Sequence, residues 1–284
     1  MGAVHRLVLR GEAPVLAPFY RSVGGSEGPE GAWEPFRHVL ESHVDALREG
    51  VTRPVQTNEV GRAGALVGGF LSVAERFGLP LRVLELGASA GLNLRWDHFH
   101  YEARGERWGP ADSPVRLCDF DTPPIPPFAV EATVAERRGC DKNPLDPTSD
   151  EDRVTLLSFV WCDQAWRVRR LRAAFEVAAQ VPSAVDRANA PEWLELHLDK
   201  DSNGVATVVF HSIFMQYMTE ADRTKTFGLL ENSGAEATSA TPLAWLRMEP
   251  AGDHADVHLT MWPDGEEQLL AHSGYHGAQV RWIG

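Results

Sequence analysis

The run from Leu81 to Leu86, LRVLEL, breaks into Gly87-Ala88-Ser89-Ala90-Gly91, and this junction constrains the fold more than any other segment. An apolar run of strand length that stops at glycines spaced along a turn predicts a strand whose carboxyl end opens into a tight loop. Three more strand-like runs follow, near 133–140, 183–187 and 205–211, separated by amphipathic helices such as AWRVRRLRAAFEVAAQ at 165–180. Alternating strands and helices imply a parallel sheet covered on both faces. Toward the end the pattern changes: Pro263-Asp264-Gly265 sits between two alternating runs. That is a hairpin signal, so the sheet is expected to finish with antiparallel strands.

Upstream of Leu81 the periodicity is helical. Residues 32–50 place Phe36, Val39, Leu40, Val44 and Leu47 on one face. A second helix is expected from about Glu59 to Phe77, burying Leu66, Val67, Phe70 and Leu71, with Asn58 as its cap. The fold class read from these patterns is α/β, a Rossmann-like, mostly parallel sheet with antiparallel C-terminal strands, preceded by a helical N-terminal region. The expected division is 1–78, helical and packing on the core, and 79–284, the Rossmann-like domain. Between Phe99 and Val130 the chain is rich in Pro, Gly and Asp and too long for a simple strand-to-helix connection. It is expected as an insertion over the ligand cleft.

Charge and composition narrow the partners. The net charge is −13 and Lys and Arg form no long cluster, so a phosphate backbone would be repelled over most of the surface. No nucleic-acid partner is expected. No apolar run is long enough to span a bilayer, and the first residues lack a basic segment followed by an apolar core. A cytoplasmic location without membrane attachment is the expectation. Cys118, Cys140 and Cys162 form no C-x-x-C pair and read as reduced thiols.

Two chemistries compete for the turn. Read as G-x-S-x-G, it is the elbow that exposes a nucleophilic serine, here Ser89, in α/β-hydrolases. Read from Glu85 as E-x-G-x-x-x-G, it is the first loop of an S-adenosylmethionine site, where the backbone of Gly87 and Gly91 meets the ligand. Phosphate-binding loops fail, because Ser89 and Leu92 stand where a dinucleotide loop needs glycine and no P-loop lysine follows. Glu85 decides for the second reading. A carboxylate inside a buried strand is costly without a partner, and a methionyl ammonium supplies one. Its bland alternative is a pair with an arginine such as Arg62.

Other site residues follow from the rule that ligands bind beyond the carboxyl ends of parallel strands. Asp141 ends the second run where a ribose-binding acid would sit. Asp186 and Asn189 end the third near an adenine edge, with Trp193 covering the ring, although Asn189 also suits a helix cap. The fourth run ends in His211 and Ser212, which places His211 as a general base toward the transferred methyl, with Ser212, Gln216 and Tyr217 lining the acceptor pocket. Ser89 and Asn93 complete the loop. No metal site is assigned: His98 and His100, His254 and His258, and His272 and His276 each fail to close a ligand set.

With these residues in hand, the chain resembles an uncharacterised bacterial family, domain-of-unknown-function family 2332. The segments that carry the likeness are VQTNEVGRAGAL, LELGASAGLNLRWD, RRGCDKNPLDP, LLSFVWCDQAWRVRRL, VVFHSIFMQYM, PLAWLRMEP and WPDG with GYHGAQVRW. The resemblance implies a class I methyltransferase-like fold, with Asn58, Glu59 and Arg62 in a segment lying over the cofactor. It also implies an amino terminus that begins part-way into the usual helical region. S-adenosylmethionine is the expected cofactor and a small molecule the expected acceptor. The rivals are a Ser89 hydrolase and a methyltransferase-like domain that binds without turnover.

Overall fold

The computed structural model describes residues 1–118, 120, 123–198 and 202–284. Its helices are α1 (Gly2–Leu9), α2 (Trp33–Ser42), α3 (Val44–Thr52), α4 (Arg62–Phe77), α5 (Asp150–Ser158), α6 (Ala165–Gln180), α7 (Ala190–Leu198) and α8 (Glu220–Glu236). Its strands are β1 (Leu81–Leu86), β2 (His100–Ala103), β3 (Glu106–Trp108), β4 (Arg116–Leu117), β5 (Val134–Asp141), β6 (Ala184–Arg187), β7 (Ala206–Ser212), β8 (Leu243–Ala251), β9 (His254–Trp262), β10 (Glu266–Ser273) and β11 (Arg281–Trp282). Among the described residues, no helix is long and apolar enough to cross a membrane.

The chain forms two compact units, one of Met1–Asn58 with Asp146–Phe175, the other of Glu59–Leu145 with Glu176–Gly284. The division differs from the expected boundary at 78. Helix α4 is buried from Arg62 through Leu71 and again at Val73 and Ala74, leaving no polar face for a separate surface region, and it belongs with the sheet. Helix α5 joins α1 instead, through Arg6, which donates to Thr155 Oγ1 at 2.7 Å and pairs with Glu151. The core of this helical unit is Val4, Leu7, Val8, Ala13, Leu16, Tyr20 and Val39.

The single helix expected over 32–50 is broken at His43, whose φ of −122° and ψ of 33° are not helical. The Ser42 hydroxyl bonds back to the His38 carbonyl at 2.7 Å, a local bond that competes with continuing the helix. Resetting the phase there leaves Leu40 and Val44 exposed, against expectation, while Val39 stays buried.

In the other unit an eight-stranded sheet runs β11-β10-β9-β8-β7-β1-β5-β6. Strands β6, β5, β1, β7 and β8 are parallel, and β9, β10 and β11 continue antiparallel. The four predicted strands lie within a residue of β1, β5, β6 and β7, and Pro263-Asp264-Gly265 joins β9 to β10. The chain steps from β1 outward to β5 and β6, then returns to β7 on the other side of β1. The order therefore reverses between β1 and β7, where a parallel sheet opens a crevice beyond its carboxyl ends.

Residue parity sets the faces. Glu85 pairs with Phe210 across β1 and β7, so both share one face and His211 lies on the other. The Phe210 face packs on α4, with Phe70 edge-on to Phe210 at 5.1 Å between ring centroids. The opposite face buries Leu84, Leu86 and Val209 against Trp193 and Leu194 of α7 and Leu230 of α8. Within the described part of the 99–130 segment, β2, β3 and β4 form a second sheet in the order β3-β2-β4. Trp108 of that sheet stacks on Trp96 at 5.1 Å, and Trp96 on Phe70 at 4.4 Å, which fixes the insertion to α4.

Helix α4 meets the sheet through glycine. A Cβ on Gly69 would stand 2.3 Å from Leu246 Cδ1, and one on Gly68 2.2 Å from the Trp282 ring. Gly69→Ala is therefore expected to destabilise the protein by about 1–3 kcal/mol, although alanine gains about 1 kcal/mol of helix propensity. Urea denaturation is the measurement, and a variant as stable as wild type would show that Leu246 yields without cost.

Candidate functional site

At the reversal point the loop after β1 is held in a strained but well-tied form. Gly87 and Gly91 have φ of 70° and 66°, and Ser89 between them has φ of 54°, a left-handed value uncommon for serine. The backbone ties are Ala88 N–H to Cys140 O at 2.9 Å and Leu145 N–H to Ser89 O at 3.2 Å. Beside it, at the end of β7, Ile213 has φ of 51°, an outlier for a β-branched residue. Two non-glycine residues strained at neighbouring strand ends fit the tendency of such strain to gather at functional sites.

Glu85 lies under this loop, 2% exposed, and its Oε2 has no hydrogen-bond partner. Burial pushes its carboxyl well above the usual range, and the charge of Asp141 adds to that; Arg95 and Arg62 pull the other way and are outweighed. The guanidinium of Arg62 donates instead to the carbonyls of Tyr275 and Ser212, at 3.0 and 3.1 Å. Arg95, pushed down to about 10 by its own burial and by Arg137, donates to Val181 O and Gly91 O. Two more buried acceptors near the loop, Ser89 Oγ and Asn93 Oδ1, have no partner. Asn93 Nδ2 donates to Glu59 O at 3.3 Å, and Glu59 Oε1 accepts from Gly61 N–H at 3.2 Å. The structure thus gathers Glu59, Arg62, Glu85, Ser89 and Asn93 at one end of the sheet. Asn58 is buried at the end of the helical unit.

Several expectations are corrected. The side-chain directions of both loop glycines point into protein: a Cβ on Gly91 would meet Val185 Cγ2 at 2.8 Å, and one on Gly87 would meet the Phe214 ring at 2.2 Å. Asp141 spends its carboxylate on the loop: Oδ2 accepts from Ser89 N–H at 2.9 Å and Oδ1 from Asn143 N–H at 2.8 Å. It thereby braces the loop after β1. Asn189 donates to Glu192 and Asp222 at 2.6 and 3.3 Å. Asp186 holds Arg138 and accepts from Trp193 Nε1, which leaves Trp193 in the core and not over a ring.

His211 is corrected most. It is fully buried, its Nδ1 lies 2.7 Å from Glu249 Oε1, and its Nε2 lies 3.0 Å from Trp245 Nε1. An indole nitrogen is only a donor, so Nε2 must accept and Nδ1 must carry the proton. No ring nitrogen is left to take a proton from an acceptor. Instead His211 orients Glu249, whose Oε1 also accepts from Phe214 N–H and Met215 N–H at 3.0 and 3.3 Å. Burial pushes Glu249 up, but the His211 N–H and these amides more than offset it, and its carboxyl sits below the usual range. This chain of bonds fixes the strained Ile213 turn and lays Phe214 on Gly87. Of the expected acceptor residues, Ser212 gives its carbonyl to Arg62, Gln216 is exposed, and Tyr217 is 71% exposed.

Sequence reasoning missed Glu249 and Phe214. The signal for Glu249 was the same as for Glu85: an acid inside an apolar strand, LAWLRMEPA.

A hydrolase reading needs a base within reach of the serine. Among the described residues, Ser89 Oγ is hydrogen-bonded to no base and is buried. A fluorophosphonate probe is expected to leave Ser89 unlabelled, and Ser89→Ala to keep ligand affinity within about tenfold, roughly 1.4 kcal/mol. Labelling that disappears in Ser89→Ala would reinstate the nucleophile.

No curated protein and no solved structure matches the chain. A family model described as an uncharacterized protein conserved in bacteria, domain of unknown function 2332, matches residues 1–282, and the chain belongs to that family.

Proposed function

We propose that this protein binds S-adenosylmethionine beyond the ends of β1 and β7 and passes its methyl group to a small-molecule acceptor. The observation that carries the proposal is Glu85, a buried acid with an unpartnered oxygen at the point where the strand order reverses. A buried carboxyl, an orphaned hydroxyl and an orphaned amide oxygen are all acceptors, and their natural complement is a multiple N–H donor bearing positive charge. The methionyl ammonium has that chemistry, so Glu85, Ser89 and Asn93 are the residues that would hold it. When bound, the sulfonium supplies an electrophilic methyl group. The chain's own part is to bind and orient: Asp141 braces the loop, and Glu249 with His211 fixes the turn carrying Phe214. Because both ring nitrogens of His211 are engaged, His211 is not the base, and rate enhancement rests on positioning.

That engagement of His211 also favours one second reading, a domain of this kind that binds the ligand without turnover.

The test is calorimetry with S-adenosylmethionine and S-adenosylhomocysteine, which share the ammonium. Micromolar binding of both is expected. Glu85 is held above the usual range in the free protein and an ammonium favours its ionised form, so binding should release a proton and tighten as pH rises. Neither compound binding at any pH would sink the assignment.

A further inference from the structure

The geometry points to a second site, an open divalent transition-metal site on the antiparallel part of the sheet, built from His254, Asp256 and His272. His254 and Asp256 are two residues apart on β9, so they share a face, and His272 of β10 is the direct cross-strand partner of Asp256. One ligand atom from each lies within 4.8 Å of the others. His254 Nε2 is 3.1 Å and His272 Nδ1 2.6 Å from Asp256 Oδ1. Bonds of about 2.0–2.2 Å to an ion set donor separations of roughly 3 Å, so the three donors need only small shifts to close on one ion. Two imidazoles and one carboxylate suit zinc, cobalt or nickel better than calcium or magnesium.

Two features go beyond the cluster itself. His254 Nδ1 lies 2.9 Å from Asp253 Oδ1, the carboxylate-to-histidine bond that orients a ligating imidazole and raises its basicity. Glu249, the cross-strand partner of Asp256 on β8, has a buried Oε2 without a hydrogen-bond partner. The three donor side chains are 41%, 23% and 26% exposed, which leaves coordination positions for water or an anionic ligand. By residue parity the cluster lies on the His211 face, opposite Glu85, and it stands independently of the S-adenosylmethionine reading.

Cobalt and zinc are the probes, added to the intact chain freed of metal by a chelator. We expect one equivalent of Co²⁺ to bind with micromolar or tighter affinity. Asp256→Asn and His272→Gln should each weaken it at least a hundredfold, while His98→Gln, far from the cluster in sequence, leaves it unchanged. Should either variant fail to fold, wild-type protein decides: Zn²⁺ should shift the imidazole nitrogen resonances of His254 and His272 in long-range ¹H–¹⁵N spectra. Millimolar affinity, equal affinity in the variants, or zinc-insensitive His254 and His272 resonances would each overturn the site.

Discussion

Glu85→Gln should make the ligand-free protein more stable at neutral pH and, at the same time, cut its affinity for S-adenosylmethionine at least a hundredfold. The two effects have one cause. Burial, with Asp141 nearby, holds the Glu85 carboxyl above its ordinary range, whereas the unfolded chain ionises at about pH 4.3. Between those values folding takes up a proton, so this group's contribution is full below the unfolded pKa and is lost as pH rises through the folded one. Glutamine is neutral throughout. The variant's advantage should thus be absent near pH 4 and open as pH rises, reaching about 1–3 kcal/mol, because each pH unit that the folded carboxyl stays protonated above the unfolded pKa costs about 1.4 kcal/mol. Glutamine also loses the negative charge that an ammonium would meet, which accounts for the affinity. Urea denaturation across pH and calorimetry on the folded variant read both. A variant less stable than wild type at pH 8 would mean that Glu85 is ionised and paired in the free protein. The case for a cationic ligand would then fall.

How much of this was legible in the sequence follows from what sequence periodicity encodes. The strands β1, β5, β6 and β7 and the β9 to β10 hairpin were readable because each burial pattern is local and bounded by a turn signal. The acid in LRVLEL was readable because a charge in a buried strand is unusual wherever the strand sits. Cross-strand register was not readable. It decides that Glu85 shares a face with Phe210 and that His211 belongs to the opposite one. One residue of register would have exchanged them. The His254, Asp256 and His272 cluster was missed for the same reason, since its members come from two strands that only the register brings together. Asp141 shows another limit: it stands at the expected strand end, yet its bonds to Ser89 N–H of the loop after β1 and to Asn143 N–H of its own loop depend on the pairing of β1 with β5.

Glu249→Gln should act with the opposite sign from Glu85→Gln. Three N–H donors, from His211, Phe214 and Met215, converge on Glu249 Oε1 and keep the carboxyl below its ordinary range despite burial. A depressed folded pKa means that the group stabilises the fold above the unfolded pKa and ceases to do so as pH falls through the folded value. The variant should therefore be less stable than wild type at neutral pH by about 2–4 kcal/mol, the cost of weakening charge-assisted bonds to buried donors. The gap should close below about pH 4. It should also have a local signature. Ile213 N–H still donates to Met248 O at 2.8 Å, but without the carboxylate the turn at φ 51° loses both of its bonds beyond Ile213, so the Phe214 and Met215 amides should exchange with solvent faster and the Phe214 ring should leave Gly87. His211→Ala, which deletes the N–H from the same oxygen and leaves the Trp245 N–H unpaired, should reproduce that signature. Hydrogen exchange measured amide by amide distinguishes this from general loosening. Protection at Phe214 and Met215 that survives in both variants would show that the turn is held by packing alone, and Glu249 would lose its role in placing Phe214 against the loop.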